Sequence, residues 1–234
     1  VDPYEGLNEA QREVVKHDAG PLIVPATAGS GKTHAVVRRL ARMALDKIDM
    51  QKVLATTFTK KAAGEMNDRL TELLGKGAMG ARVGTFHSVC LEIIRDGSPW
   101  ARWEVDANDK MKLNLNKILG WSPDGSTLNW RGADLSDVAG FIGTCKNDLI
   151  GPEDSAKIVQ ENMMDRRFIK AYFLYEERRE QEQLITFDDM LKLAVEHLRA
   201  DVDARTRWEG RYDHIVVDEF QDTNPAQMEI LKLL

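Results

Sequence analysis

The segment of this chain that most constrains its fold is a glycine-rich run followed by lysine and threonine. It comprises Ala26, Thr27, Ala28, Gly29, Ser30, Gly31, Lys32 and Thr33. An apolar run ending at Pro25 precedes it, and an amphipathic stretch follows it. A loop of this composition between a strand and a helix turns its backbone N–H groups around a phosphate chain. The run therefore predicts a phosphate-binding loop, although the strict pattern has glycine at the position of Ala26.

Carboxylates at the far end of the sequence predict the second half of a nucleotide site. Lys32 would reach the β- and γ-phosphates, and the Thr33 hydroxyl would bind Mg²⁺. Asp218 and Glu219 directly follow a β-branched run at 215–217. Asp218 would hold Mg²⁺, and Glu219 would orient or deprotonate the attacking water. Together the two segments predict an ATPase site in which Lys32, Asp218 and Glu219 are the catalytic residues.

The hydrophobic pattern around these segments predicts an α/β fold. Short apolar runs at 22–24, 53–55, around Val83 and at 215–217 are typical of buried strands. Apolar residues recur with the helical period at 36–43 and 62–73, between the first three runs. Alternating strands and helices indicate a parallel sheet flanked by helices.

The alternation stops in the middle of the chain. From about Arg95 to Leu184 the pattern contains helical periods, as at Phe168, Tyr172 and Tyr175, and no convincing strand. We therefore expect an all-helical inserted subdomain at 96–184 within a nucleotide-binding domain formed by 1–95 and 185–234. An amphipathic helix at 187–198 would return the chain to the sheet. The tryptophans expected to fill the core of the insert are Trp100, Trp103, Trp121 and Trp130.

Composition narrows the class of protein only slightly. No apolar run approaches the roughly 20 residues that span a bilayer, so no membrane association is expected. Two cysteines without a metal-binding spacing favour a reducing compartment, and a cytoplasmic location is expected. The net charge of −6 is weak evidence against nucleic-acid binding, because a local basic track can exist within an acidic chain.

Four separated blocks resemble the UvrD/Rep/PcrA family of superfamily 1 helicases. The blocks at 7–11, 56–66, 84–88 and 218–224 are similar to the family's Q-motif, motif Ia, motif Ib and motif II, in the family's order. Ala26 agrees with the family's phosphate-binding loop. The resemblance implies a RecA-like fold, and it implies that Gln11 reads the adenine edge. It also places His34 and Gln221 at the nucleotide, although the family often has arginine at the position of His34.

The resemblance further implies a track for single-stranded DNA. Hydroxyl groups after strands suit phosphate oxygens, and aromatic rings stack on bases without regard to sequence. Lys60 stands where the family usually has asparagine. Phe58 and Phe86 have an alternative interpretation as core residues of the sheet. The predicted DNA-binding residues are Thr57, Phe58, Thr59, Lys60, Thr85, Phe86 and His87.

The function expected from the resemblance is ATP-dependent DNA unwinding with 3′ to 5′ translocation on single-stranded DNA at duplex junctions. It requires a C-terminal second motor domain that supplies arginines to the γ-phosphate, so the 234 residues alone are expected to be inactive. One alternative is a fragment that binds nucleotide or DNA without turnover. Another is the motor part of a RecB/AddA-like helicase-nuclease. A kinase or GTPase fits less well, because those classes lack the block at 84–88. A repair and a replication role both remain open.

Overall fold

The computed structural model describes residues 1–27, 29–75, 80–120 and 132–234. The chain forms two compact units, each built from two stretches of sequence. The first unit consists of Val1–Val89 and Trp208–Asp222, and the second of Cys90–Arg207 and Thr223–Leu234. The expected domain boundaries at 95/96 and 184/185 stay a prediction.

A parallel three-stranded sheet forms the centre of the first unit. Its strands are β1 (Val53–Thr57), β2 (Arg82–Thr85) and β5 (His214–Val217), in the order β2-β1-β5. All five residues of the central strand β1 are buried, which explains why that strand has no polar-apolar alternation. The predicted parallel sheet is confirmed for these three strands.

The first unit also contains three α-helices that lie wholly within it. They are α1 (Glu9–Lys16), α2 (Lys32–Leu45) and α3 (Lys60–Leu74). Thr59 caps α3, because its side chain accepts a hydrogen bond from the Ala62 amide at 3.1 Å. Apolar residues of α2, α3, β1 and β2 form one core: Val37, Leu40, Met43, Val53, Ala55, Ala63, Met66 and Val83. The helices predicted at 36–43 and 62–73 are therefore confirmed.

The strand predicted at 22–24 is wrong for this structure. Residues 21–27 lie outside regular secondary structure, and Leu22, Ile23 and Val24 are exposed, Ile23 to 77%. An apolar run becomes a strand only where a neighbouring strand offers its N–H and C=O groups. In the described residues the sheet ends at β5, and 22–24 pairs with no strand. Local hydrophobicity cannot reveal that a partner strand is missing.

Helices make up most of the second unit. The helices that lie wholly within it are α5 (Lys110–Leu113), α6 (Leu115–Gly120), α7 (Gly132–Asn147), α8 (Ser155–Glu161), α9 (Arg167–Gln181), α10 (Phe187–Ala200) and α12 (Pro225–Leu233). Two more, α4 (Phe86–Arg95) and α11 (Val202–Glu209), begin in one unit and end in the other. The helical patterns predicted around Phe168 and at 187–198 are confirmed by α9 and α10.

The prediction of a strand-free insert needs correction. β3 (Glu104–Val105) and β4 (Leu184–Ile185) pair in parallel, so a small second sheet stands within the helical unit. Each strand has only two residues, which is too short to produce a period-two pattern.

The two described tryptophans of the insert do not fill its core. Trp100 and Trp103 are only half-buried, and the guanidinium of Arg179 lies 5.3 Å from the Trp103 ring centroid. Trp121 and Trp130 lie outside the described residues. The core is formed by smaller aromatic and aliphatic side chains, among them Met111, Leu119, Val138, Phe141, Phe168, Ala171 and Tyr172. The prediction that Trp100 and Trp103 fill the core is therefore wrong.

A buried cluster of charges joins three helices of the second unit. Lys146 Nζ of α7 lies 2.6 Å from Asp189 Oδ1 of α10 and 2.8 Å from Glu176 Oε1 of α9. Arg179 Nε lies 3.6 Å from the same Asp189 oxygen. Burial raises the pKa of Asp189, but the charges of Lys146 and Arg179 lower it by more than burial raises it. The pKa therefore lies below its usual value. The carboxylate is therefore ionised although it is buried.

Candidate functional site

The predicted phosphate-binding loop leads directly into α2. Lys32 is the first residue of this helix, and the preceding Gly31 has a φ of 81°. A Cβ on Gly31 would lie 2.7 Å from Gln11 Nε2, so a larger residue would displace the glutamine. Gly29 also has a positive φ of 78°. The loop thus places Lys32 and Thr33 at the positive end of a 14-residue helix. Ala28, the remaining predicted loop residue of this stretch, lies outside the described residues.

Gln11 is held between the start of α1 and the loop. Its amide N–H donates to the Asn8 side chain at 2.9 Å, and its own Oε1 accepts from the Asn8 amide at 3.1 Å. Its Nε2 donates to the carbonyl oxygen of Ser30 at 2.9 Å. These bonds fix the side-chain amide and leave one N–H and one lone pair available. Asn8 was missed as a site residue, although Asn-x-x-Gln before an apolar run is a capping-box pattern.

A cleft of about 610 Å³ lies beside Gln11 and the loop. Its volume falls within the range of small-molecule sites, roughly 300–1,000 Å³. Both polar groups and small apolar side chains line it, so it suits a flat polar ring. The lining residues are Asn8, Ala10, Gln11, Val14, Val24, Pro25, Ala26, Thr27, Ser30, Gly31, Lys32 and Ala35.

The structure brings the two predicted halves of the nucleotide site together. The Asp218 amide donates to the Thr56 carbonyl at 2.9 Å, so the pairing of β5 with β1 continues to this residue. Thr33 Oγ1 donates to Asp218 Oδ2 at 3.4 Å, and Lys32 Nζ donates to Glu219 Oε2 at 3.2 Å. The loop and the end of β5 therefore meet through two side-chain pairs.

Glu219 has an unusual backbone conformation and a stabilised negative charge. Its φ is +54°, a region that L-residues other than glycine seldom occupy and that is frequent at functional sites. Hydrogen bonds from Gln221 and then from Lys32 lower the pKa of its carboxyl group. The side chain is therefore an anion at neutral pH, and Gln221 holds it in place.

His34 lies in the first turn of α2 and is half-buried. Burial lowers the pKa of its imidazole, and the charges of Arg38 and Arg69 lower it further. The ring is therefore neutral at pH 7, so it can accept a hydrogen bond as well as donate one.

The predicted DNA-binding residues after β1 differ widely in exposure. The Phe58 side chain is 64% exposed, and Lys60, the first residue of α3, is also exposed. Thr57 is buried, and its hydroxyl donates to the Thr59 carbonyl at 3.0 Å. The Thr59 hydroxyl caps α3. At this strand end, Phe58 and Lys60 are therefore the side chains best placed to contact a large ligand.

The corresponding residues after β2 are more enclosed. Thr85 pairs with Thr57 across the sheet, so both segments leave the same sheet edge. Thr85 and Phe86 are buried, and His87 is half-buried in the first turn of α4. The burial of Phe86 favours its interpretation as a core residue, whereas the exposure of Phe58 favours a binding role.

Comparison with known proteins gives one consistent family. Residues 7–234 match the family described as UvrD/REP helicase N-terminal domain. The chain is 31% identical to the ATP-dependent DNA helicase PcrA of Leuconostoc citreum, over 98% of its own length and 31% of the relative. It is 33% identical to the helicase UvrD1 of Mycobacterium bovis, over 98% of its own length and 30% of the relative. It is 34% identical to the helicase Rep of Escherichia coli, over 97% of its own length and 34% of the relative.

Two further observations set the scope of the comparison. The chain spans about a third of the length of these relatives, between 30% and 34%. In the described part of the chain, the helices are all too short or too polar to cross a membrane.

Proposed function

Because this chain belongs to the UvrD/REP helicase N-terminal domain family, we propose that it is the ATP-binding first motor domain of a DNA helicase. The whole enzyme would hydrolyse ATP, move 3′ to 5′ on single-stranded DNA and open duplex junctions. The observation that carries the proposal is the pairing of Lys32 with Glu219 and of Thr33 with Asp218. These four side chains come from both ends of the sequence and meet beside a cleft of suitable size.

The proposed orientation of ATP follows from the two ends of this cleft. The phosphates would lie against the loop and the start of α2, where the helix dipole and Lys32 favour negative charge. The adenine would lie near Gln11, whose remaining N–H and lone pair match the donor and acceptor of the adenine edge. Two more residues are proposed as nucleotide contacts: His34, in the first turn of α2, and Gln221, which donates a hydrogen bond to Glu219.

The residues present fit Mg²⁺. Magnesium prefers oxygen ligands and keeps several waters when it is bound with substrate phosphates. The Thr33 hydroxyl and an Asp218 carboxylate oxygen lie 3.4 Å apart, close enough for both to serve one ion. When bound, the ion would neutralise charge on the phosphates. Thr33 and Asp218 are the residues that would hold it.

Glu219 is the proposed water-orienting residue. In the structure its carboxylate pairs with Lys32, which the phosphates of ATP would engage instead. Losing that partner would raise the pKa of Glu219 toward its usual value, because Lys32 is one of the causes that lower it. The freed carboxylate would then accept a proton from water as the water oxygen attacks the γ-phosphorus and ADP leaves.

The proposed track for single-stranded DNA runs along the sheet edge where β1 and β2 end. Phe58 would stack on a base, and Thr59 and Lys60 would contact phosphate oxygens. Thr57, Thr85 and His87 lie at the same edge, and Thr57 and Thr85 are buried. The buried Phe86 side chain would support this edge from within the core.

A two-part experiment tests the proposed function. Binding of ATP to the chain should require Mg²⁺, and Asp218→Asn should weaken this Mg²⁺-dependent binding, because a neutral amide replaces the carboxylate that would hold the ion. A longer protein that includes the second motor domain should hydrolyse ATP faster when single-stranded DNA is present. Magnesium-dependent binding without DNA-stimulated hydrolysis in the longer protein would favour a binding module. Absence of nucleotide binding to either protein would contradict the proposal.

A further inference from the structure

The helix that carries Gln11 needs outside support to keep its position. α1 has only eight residues, and isolated helices shorter than roughly 12–15 residues are marginal in water. Leu7 and Val15 are buried and anchor its two ends. The last carbonyl groups of a helix have no partner within the helix, so they need donors from elsewhere.

Two arginines of α2 supply those donors. Arg39 Nη1 lies 2.7 Å from the Val14 carbonyl oxygen and 2.5 Å from that of His17. Arg42 Nη1 lies 2.9 Å from the Val15 carbonyl oxygen. Three carbonyl oxygens at the end of α1, those of Val14, Val15 and His17, are thus bound by side chains of the helix that begins with Lys32.

Electrostatic interactions explain why Arg39 and Arg42 can lie one helical turn apart although both are positively charged. The C-terminus of α1 carries partial negative charge, which attracts both guanidinium groups. Arg42 is further paired with Asp18 and with Asp46, whose Oδ2 lies 2.9 Å from Arg42 Nε. Arg39 is half-buried, and its pKa is lowered by burial and then by the charge of Arg42, against the opposing charge of Asp18. The end of α1 provides Arg39 with two hydrogen-bond acceptors, the carbonyl oxygens of Val14 and His17.

The position of α1 determines the position of Gln11. Gln11 lies one turn before Val14, on the same rigid helix, and its Nε2 reaches the Ser30 carbonyl at 2.9 Å. A tilt of α1 away from α2 would lengthen this bond and would turn the free N–H and lone pair away from the cleft.

We propose that Arg39 is a positioning residue for adenine recognition, which holds α1 so that the Gln11 amide faces the nucleotide cleft. The inference rests on the proposed function, in which Gln11 contacts the base. Arg39 acts through α1 and not through a contact with the nucleotide. It therefore affects discrimination between bases more than it affects binding of the phosphates.

Nucleotide titrations of the 234-residue chain test this role. The variants are Arg39→Met, Gln11→Ala and the double variant, each titrated with ATP and with GTP in the presence of Mg²⁺. Methionine keeps most of the aliphatic stem and its packing but removes the donors. Arg39→Met should lower the affinity for ATP about tenfold, the scale of a lost charge-assisted hydrogen bond, and the affinity for GTP less than about twofold. In the Gln11→Ala background the same substitution should change ATP affinity less than about twofold.

Arg38→Met is the matched control. Arg38 lies on the same helix, and its Nη1 donates to the Asp2 carbonyl at 2.9 Å, outside α1. The control should keep the preference for ATP. An equal loss of ATP and GTP affinity in Arg39→Met would overturn the inference, since it would indicate general loosening of the site. Full additivity with Gln11→Ala would overturn it as well.

The outcomes separate the inference from the proposed function. A wild-type chain that binds neither nucleotide would contradict the proposed nucleotide site itself. A wild-type chain that prefers ATP, with an unchanged preference in Arg39→Met, would overturn only the role of Arg39. A wild-type chain that binds ATP and GTP equally would remove base reading by Gln11 and the inference with it, while the phosphate-binding role of Lys32 would stand.

Discussion

Lys32 and Glu219 form an ion pair in which Nζ lies 3.2 Å from Oε2, although 187 positions separate them in the chain. The lysine begins α2 and the glutamate follows β5, so the pair connects the loop to the sheet edge. The proposed function requires each side chain to leave this partner, Lys32 for the phosphates of ATP and Glu219 for water. Lys32 is engaged by a carboxylate instead of phosphate, and Glu219 is engaged by an ammonium group instead of water.

Lys32→Ala should weaken binding of Mg·ATP by roughly 10- to 100-fold, because a charge-assisted contact to phosphate is lost. The fold should persist, since the Lys32 side chain is 25% exposed and belongs to no core cluster. Fluorescent-nucleotide titration measures the affinity, and circular dichroism checks the fold. Lys61→Ala is the control, because Lys61 is 86% exposed and pairs with Glu65 one turn away. Equal affinities of wild type and Lys32→Ala would remove the phosphate-binding assignment.

The sequence was sufficient to predict the loop, α2 and the strands β1, β2 and β5. Each of these depends on local pattern: glycines before Lys32, a helical period after it, and short apolar runs that are followed by polar residues. The sequence also predicts that Lys32 and Glu219 lie close together, because a phosphate-binding loop and the carboxylates after a buried strand form the two halves of one ATPase site.

Features that depend on distant partners could not be predicted in this way. Residues 22–24 have the composition of a strand, but a ladder partner decides whether a strand forms. The interaction of Arg39 with the Val14 carbonyl depends on how two helices pack, and an arginine on a helix is usually solvated. The choice between core and surface for Phe58 and Phe86 also required burial in three dimensions.

Phe58→Ala and Phe86→Ala should affect different properties, DNA binding in the first variant and folding stability in the second. Phe58 is 64% exposed and Phe86 is 7% exposed. Phe58→Ala should weaken single-stranded DNA binding by about 1–3 kcal/mol, the scale of one base stack, with little change in folding stability. Phe86→Ala should instead lower the free energy of unfolding by about 3–5 kcal/mol. Fluorescence anisotropy with labelled DNA and urea unfolding, applied to both variants, test the pair. A stability loss with intact DNA affinity in Phe58→Ala would contradict the stacking role.

Asp189→Asn should destabilise the second unit by about 3–5 kcal/mol at pH 7, because it leaves the buried Lys146 and Arg179 with less compensation. The effect should depend on pH in a defined direction. The folded-state pKa of Asp189 lies below its usual value, so its contribution is complete above about pH 3.9 and is lost as pH falls through the lower folded value. The difference between wild type and variant should therefore shrink below about pH 4.

Urea unfolding at pH 7 and at acidic pH measures this difference. Glu161→Gln is the matched control, because Glu161 pairs with Lys157 at 3.8 Å and both side chains are well exposed. The control should change the free energy of unfolding by less than about 0.5 kcal/mol at either pH. A pH-independent loss in Asp189→Asn would show that packing, and not charge, is responsible.

Glu219→Gln, made in a longer protein with the second motor domain, should retain Mg·ATP binding and lose turnover. The amide preserves the volume of the side chain but cannot accept a proton from water. Turnover should fall by at least about 10², the usual scale for an acid–base group. Steady-state phosphate release and nucleotide titration on the same preparation separate the two effects. Turnover within a few-fold of wild type would exclude Glu219 as the water-orienting residue.

The 234-residue chain by itself should bind Mg·ATP but hydrolyse it very slowly, with no unwinding. The side chains of Lys32 and Glu219 are 25% and 38% exposed, so water surrounds the position where charge would develop and weakens each contact. The proposed second motor domain would supply arginines there, and such groups contribute on the order of 10³–10⁵ in rate in related phosphoryl transfers. Adding that domain in trans should therefore restore DNA-stimulated phosphate release if the two parts dock. The chain carrying Glu219→Gln, purified in parallel, reveals any contaminating helicase. DNA-stimulated hydrolysis by the wild-type chain alone that disappears in this variant would contradict the prediction and would show that one motor domain is sufficient.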